Sequence, residues 1–416
     1  MIKKIQKKIN EILIKTQRFT ETDNVYLAKF GSYLALGNII SIAASFLLSI
    51  IFARYLSKET YGDYRYLLSI MTIIGIFALP GMEDALLQAV ANKCEGCLRI
   101  ALVKKFKWAL LGSLTSLGVA VFFFFKDNTG LSISFIIAAL FFPIMESLGI
   151  YLSYLGGKKL FGIQVKYSTI TQVVAAIAII ITLLLKQNLI ILVLVYFLSN
   201  TVLRGIFFFF TIKKFPTNQN YDEKFINFGK HLSFLRIIQT LAGQLDRMLL
   251  FNILGPVQLA IYSFAMLPTS EAEIFLKNIR LLALPKMAAR SKKEIKKNLI
   301  RKIIKTTFLI IPLVVLYIIL APYLYSIFFP QYKDSVFFSQ LLFLTIIAFP
   351  GSFIALTFQA QMAKKELYRF SIISPLILII LLIILTPLYG VIGAIIAQII
   401  SQFFTVIFAL ILFRKF

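Results

Sequence analysis

Apolar residues gather into twelve long runs along this chain, and the polar residues fall into the gaps between them. Runs of about 20 apolar residues match a helix crossing a bilayer. The pattern predicts spans near 32–54, 64–88, 107–125, 131–154, 167–185, 189–211, 231–253, 257–283, 304–325, 335–361, 367–388 and 390–413. Positive charge is sorted onto the leading segment and every second gap. Of the 44 Lys and Arg residues, only Arg54, Lys58, Arg65, Lys126, Lys186, Arg247 and Lys333 fall in the other gaps, and Arg204 and Arg236 fall within spans. Because translocating cations against the membrane potential is unfavourable, the richer side is cytoplasmic. An odd number of spans would scramble this sorting. The expected fold is therefore an all-α integral membrane protein with twelve transmembrane helices and both termini cytoplasmic.

Composition changes the picture little. Hydrophobic residues make up 59% of the chain and charged residues 15%, against about a quarter charged in soluble domains. The net charge of +26 would suggest nucleic acid if it were clustered on one soluble surface. It lies instead in short loops such as Lys286 to Lys305, where anionic membrane lipids are the natural partner and no nucleic acid is implied. Near the start, Ile2, Ile5, Ile9 and Ile12 recur at helical spacing among Lys3, Lys4, Lys7, Lys8 and Lys15. Residues 1–30 thus read as a basic amphipathic segment on the inner leaflet, or as a basic tail, with no cleavable leader. Cys94 and Cys97 form a C-x-x-C, but a zinc site needs about four ligands and His231 is the single histidine. Neither a metal nor a cofactor is expected.

The chain also repeats itself. Leu56-Ser-Lys-Glu-Thr-Tyr-Gly62-Asp-Tyr64 returns as Leu254-Gly-Pro-Val-Gln-Leu-Ala260-Ile-Tyr262. Ala78-Leu-Pro returns as Ala283-Leu-Pro, Phe142-Pro143 as Phe349-Pro350, and Lys158-Lys159 as Lys364-Lys365, all in order. A repeat of six spans gives two parallel six-helix lobes related by an axis along the membrane normal. The expected division is an N-lobe over 31–212, a cytoplasmic linker over 213–230 and a C-lobe over 231–416. Two such lobes imply a central cavity and alternating access by rocking. Pro80, Pro143, Pro268 and Pro350 interrupt spans and are hinge candidates, since each removes a backbone hydrogen bond.

Ionisable groups within spans point to a pathway or to paired structural sites. The acids are Glu83, Asp84, Glu146, Asp246, Glu271 and Glu273. Glu146 follows Pro143 with no basic residue within a turn, and Glu271 follows Pro268 in the same way. Together with Asp246 they are ion-coupling candidates, satisfied structural acids being the alternative. Glu273, Lys277 and Arg280 form a ladder on one helix face. Gln398 and Gln402 share a face of the last span and suit either sugar hydroxyls or interhelical contacts. No nucleotide loop, carboxylate cluster or large outer loop indicates an enzyme.

Specific stretches now suggest a family. Phe52-Ala-Arg54-Tyr-Leu-Ser-Lys-Glu59-Thr-Tyr-Gly62-Asp-Tyr64 resembles the segment after the first helix of Wzx-type polysaccharide flippases. Asp246-Arg-Met-Leu-Leu-Phe-Asn-Ile-Leu-Gly255 with Ile261-Tyr262-Ser263-Phe-Ala265, and Phe358-Gln-Ala-Gln-Met-Ala-Lys-Lys365, are similar to later segments of the same family. The superfamily also contains multidrug-and-toxin exporters (MATE) and the lipid II flippase. The resemblance implies a MATE-like fold in a bacterial plasma membrane. It implies transfer of oligosaccharides linked to undecaprenyl pyrophosphate to the outer leaflet, with a polysaccharide polymerase and assembly proteins as partners. A cationic cavity would suit the pyrophosphate. Arg54, Arg65, Arg204, Arg236 and Arg247 are its candidates, with Gln398 and Gln402 for sugar. The alternative is export of organic cations, for which carboxylates and aromatics would serve, or flipping of another lipid-linked precursor.

Overall fold

The computed structural model describes residues 24–222, 224–288 and 290–416, and side chains from residue 36 onward except at a few positions between 223 and 297. The isoleucines and lysines of the expected amphipathic segment lie outside the described residues. Fifteen α-helices and three short 3-10 stretches make up the described chain, and it contains no strand. A helix satisfies its own backbone donors and acceptors, which is the condition for placing an open chain in hydrocarbon. In order the helices are α1 (Asn24–Tyr55), α2 (Lys58–Ile74), α3 (Gly81–Ala91), α4 (Cys97–Phe124), α5 (Thr129–Leu148), α6 (Tyr151–Gly157), α7 (Phe161–Leu185) and α8 (Leu189–Lys214). The second half holds α9 (Lys224–Ala242), α10 (Leu245–Leu254), α11 (Pro256–Ala288), α12 (Lys292–Phe328), α13 (Ser335–Phe343), α14 (Ser352–Ala360) and α15 (Lys364–Lys415).

Polar residues set where these helices begin. Ser57 accepts from the Thr60 amide, Asn128 from Leu131 and Asn188 from Ile190, each an N-cap filling an orphan donor. Ser291 and Glu294 cap α12 reciprocally. Eight described helices are long and apolar enough to cross a bilayer, and the bent pair Lys58–Ala78 with Gly81–Ala91 makes a ninth. The 48° bend follows from Leu79, held left-handed at φ 52°, and Pro80, which supplies no amide donor. Large apolar side chains such as Phe308, Leu309, Leu313 and Tyr323 remain exposed on the outside, as lipid-facing surface requires.

Every expected span overlaps helix in the described residues, but several are broken. The fourth runs through α5 and α6, the seventh through α9 and α10. The tenth passes from α13 through a 3-10 stretch, Leu344–Gly351, that contains Pro350. The last two are joined in α15. Its 52 residues would extend about 78 Å as one rod, more than twice the ~30 Å hydrocarbon layer. Gly390 ends the rod with φ 60° and ψ −132°. A Cβ on Gly393 would lie 1.9 Å from the Leu385 carbonyl oxygen, so the chain doubles back there and needs glycine to do so.

Helices of the first half pack on one another through α4 with α5, α1 with α7, and α8 with both α5 and α7. Those of the second half pack through α11 with α13, α15 with α10, α9 and α14, and α12 with the Leu344–Gly351 stretch. The halves meet at two levels, α2 against α11 and α3 against α9. These contacts differ in character. At the α2–α11 level one buried apolar cluster runs across both halves and includes Phe52, Tyr61, Tyr66, Leu250, Phe264 and Tyr332. Tyr66 stacks on Phe251 at 3.8 Å and Tyr61 meets Phe264 at 4.8 Å between ring centroids. Lys58 bridges to Asp334 at 3.0 Å beside this seam. At the opposite, lysine-rich end the cores are separate, one around Leu86, Tyr154 and Phe207, the other around Ile295, Phe358 and Phe413.

Gly62 is the tightest point of the seam, since a Cβ there would lie 2.0 Å from the Pro256 carbonyl oxygen. Replacing Gly62 by Ala should destabilise the protein by about 1–3 kcal/mol through overpacking. Gly118 has open space around its Cα, and Gly118→Ala should leave stability within about 0.5 kcal/mol. Melting midpoints in detergent would test both; equal midpoints for the two variants would overturn the packing argument.

Candidate functional site

Between the two contact levels lies a cavity of about 500 Å³, within the usual range for ligand sites. The first half contributes Arg65, Ser69 and Thr72 from α2, Pro80 and Glu83 around the bend, Glu146 from α5, and Tyr196 and Arg204 from α8. The second half contributes Thr240 from α9 and Gln244 and Arg247 at the start of α10. The bend at Pro80 and the break between α9 and α10 open the wall on either side.

Its charges divide into balanced and unbalanced groups. Arg204 bridges to Glu146 at 3.2 Å and also donates to the Met145 carbonyl at 2.9 Å. Glu83 accepts from Lys105 at 2.7 Å, and Lys105 is fully buried. Arg65 and Arg247 have no carboxylate partner among the described residues. The Nε of each is buried and makes no hydrogen bond there. Arg247 donates to Gln244 and lies 3.9 Å from the Met266 sulfur, a poor substitute for an anion. The neighbouring carboxylate, Asp246, is turned away and consumed. It accepts from the Tyr262 hydroxyl at 2.6 Å, from Gln398 at 3.3 Å and from the Arg247 amide at 2.8 Å. A guanidinium that is half-buried with its Nε buried and unbonded carries a desolvation cost. Two of them facing one cavity, with hydroxyls and an amide beside them, form a receptor for an anion of two or more charges carrying polar substituents.

The sequence candidates thus separate. Arg65, Arg204 and Arg247 come together, with Glu146 among them. Arg54 is exposed beside the seam, where it donates to the Ile327 carbonyl at 3.5 Å. Arg236 pairs with Asp84 at 2.5 Å on the wall between the halves. Gln398 is engaged by Asp246, and Gln402 is half-buried away from the cavity. Glu271 lies in a different, apolar pocket of about 200 Å³ with Pro268, Phe46, Tyr317, Tyr325, Phe328 and Phe329, and one of its buried oxygens has no partner. Of the prolines, Pro80 lines the cavity and Pro350 lines a separate pocket of the second half. Pro143 sits in α5 beside the cavity's Phe142. Ser69, Thr72, Thr240 and Gln244 were not singled out from the sequence. Part of their signal was there, since Arg65, Ser69 and Thr72 recur at helical spacing on one face of α2, whereas Thr240, Gln244 and Arg247 straddle the break between α9 and α10. Among the described residues no cluster of His, Cys, Asp and Glu could hold a metal ion.

The model of the polysaccharide biosynthesis protein family matches residues 27–284, more than half of the chain. No curated protein matches it. Among solved structures the chain is similar to the lipid II flippase MurJ in an inward closed conformation, at TM-score 0.60 and 17% identity over 91% of this chain and 86% of that one. It is similar to a MOP superfamily transporter from Pyrococcus furiosus, described with a binding pocket of reverse polarity, at 0.64 and 13% over 93% and 96%. An outward-facing multidrug resistance MATE transporter gives 0.59 and 13% over 93% and 95%. At such identities the likeness establishes the fold. The chain is a multi-pass, all-α membrane protein with the fold of MOP superfamily transporters, and it belongs to the polysaccharide biosynthesis protein family.

Proposed function

We propose that this protein is a flippase of the Wzx type and not an enzyme, moving oligosaccharide repeat units on undecaprenyl pyrophosphate across a bacterial plasma membrane. The observation that carries this reading is the pair of uncompensated guanidiniums, Arg65 and Arg247, in the cavity between the halves. A pyrophosphate presents oxygens to both, and an Arg fork can engage two at once. Ser69, Thr72, Thr240 and Gln244 supply hydroxyl and amide partners to the first sugar, while the polyprenyl tail stays in lipid. Twelve spans, with both termini on the lysine-rich cytoplasmic side, complete the topology: each broken helix pair is one span and α15 is two. The finished glycan is then an O-antigen, a capsule or a related polymer, assembled outside the membrane by a polymerase and its partners.

Transport needs a driving force, and the Glu271 pocket supports coupling to an ion gradient. A carboxyl with an unpartnered buried oxygen among aromatic rings is a site where a proton or cation has high leverage. The same pocket is the specific feature a drug-export reading would use, because a carboxylate framed by aromatics suits an organic cation. The larger cavity counts against that reading, since its excess charge is positive.

In cells that make the glycan and lack another flippase, Arg65→Gln and Arg247→Gln should each lower flipping at least tenfold at normal protein abundance. Completed lipid-linked oligosaccharide should accumulate in the inner leaflet, followed by mass spectrometry with a membrane-impermeant probe. Arg54→Gln should stay within twofold. An unchanged lipid pool in the Arg65 and Arg247 variants would sink the flippase reading.

Coupling is tested separately. Glu271→Gln should abolish the dependence of flipping on the proton gradient, whereas Glu146→Gln, whose carboxylate serves Arg204, should keep that dependence. Retained gradient dependence in the Glu271 variant would remove it from the coupling role.

A further inference from the structure

A second cavity of about 480 Å³ lies wholly in the second half, between α9, α11, α14 and α15. Arg236 and Arg280 line it, with Gln239, Gln359, Tyr368 and Ser371 as polar neighbours, and among the described residues no carboxylate lines it. Arg280 makes no ion pair among the described residues. Tyr368 is fixed by a 2.7 Å hydrogen bond to His231.

Arg236 connects this cavity with the central one. It sits one turn before Thr240 on α9, and Thr240 faces the central cavity. Its guanidinium reaches out of the second half to Asp84 on α3 and donates to the Pro80 carbonyl at 3.3 Å, and Pro80 itself lines the central cavity. Beside this contact Ser233 donates to the Gly229 carbonyl and accepts from the Gly81 amide at 2.9 Å. Arg236 therefore lines the second cavity and, through the Pro80 carbonyl, touches a residue that lines the central one. Neither partner of the ion pair is enclosed by protein, with 40% and 46% of their side chains exposed. Exposed pairs are weakly held and exchange partners readily.

We propose that the second cavity is a loading vestibule for the diphosphate headgroup, and that the arriving anion unlatches the halves by drawing Arg236 away from Asp84. A diphosphate seated between Arg236 and Arg280 offers more charge and more acceptor oxygens than the single Asp84 carboxylate. Once Arg236 turns to it, the α3–α9 contact loses its ion pair and the way to Arg65 and Arg247 opens. An uncharged or cationic molecule has no such effect, so the latch selects for charge before the central cavity is reached. This rests on the diphosphate-linked cargo proposed above.

Inorganic pyrophosphate is the probe. In the purified full chain with Cys94 and Cys97 replaced by Ser, nitroxide labels at the exposed positions 87 on α3 and 234 on α9 report the spacing of the halves. Pyrophosphate should broaden the distance distribution toward longer values. Arg280→Gln should raise the half-maximal pyrophosphate concentration at least tenfold, while Arg280→Lys raises it less. Asp84→Asn should lengthen the distance without pyrophosphate. Equal half-maximal concentrations for the parent and Arg280→Gln would overturn the vestibule, as would a parent distance that pyrophosphate leaves unchanged. Pyrophosphate binding measured by calorimetry separates the two readings. Binding lost in the Arg65→Gln, Arg247→Gln double variant but intact in Arg280→Gln overturns the vestibule and spares the flippase. Binding absent from the parent overturns both.

Discussion

An arginine inside a bilayer must find an anion, water or a route to the surface, and the absence of all three costs several kcal/mol. Arg65 and Arg247 have no carboxylate partner among the described residues, so their placement dictates much of what surrounds them. They need a cavity, and a cavity between two helical halves needs helices that bend. The break at Leu79-Pro80 and the interruption between α9 and α10 supply that bend on opposite walls. Lys105 and Arg204, by contrast, each have a carboxylate partner and lend the cavity polarity without excess charge. The site is cationic because acids were placed beside some of its bases and withheld from others.

The two closures around the cavity rest on different physics. Near Gly62 the halves share one continuous apolar core with stacked aromatic rings, and parting them would expose large apolar surface. Near Gly81 they share a serine hydrogen bond and one half-exposed ion pair, while their apolar cores stay apart. Such a molecule opens first where its closure is polar. In the proposed topology that is the cytoplasmic end.

Much of the fold was legible because a bilayer imposes length. Apolar runs long enough to cross it, punctuated by Ser57, Asn128 and Asn188, announce helices with little ambiguity. Breaks were half legible. Pro80 was marked as a hinge, whereas the reversal at Gly390 was visible only as a gap of a single residue between two expected spans. The site was harder, because its pairings are distant in sequence. Glu146 looked isolated on its own helix, yet its partner Arg204 lies 58 residues on. Arg54 and Arg65 stood together as outer-gap arginines, but Arg54 sits at the end of α1 at the exposed seam while Arg65, seven residues into α2, faces the cavity. Local spacing gives the face of a helix, and only packing says what that face meets.

The repeated segments bear on this last point. Leu56 to Tyr64 and Leu254 to Tyr262 are related copies, and in the folded chain they press against each other at Gly62 and Pro256. At the same spacing Arg65 corresponds to Ser263 and Arg247 to Ser49. The cations that face the cavity are carried by one half each and have no twin at the matching position. A change of charge at Arg65 or Arg247 therefore alters the cavity with no matching change required in the other half of the chain.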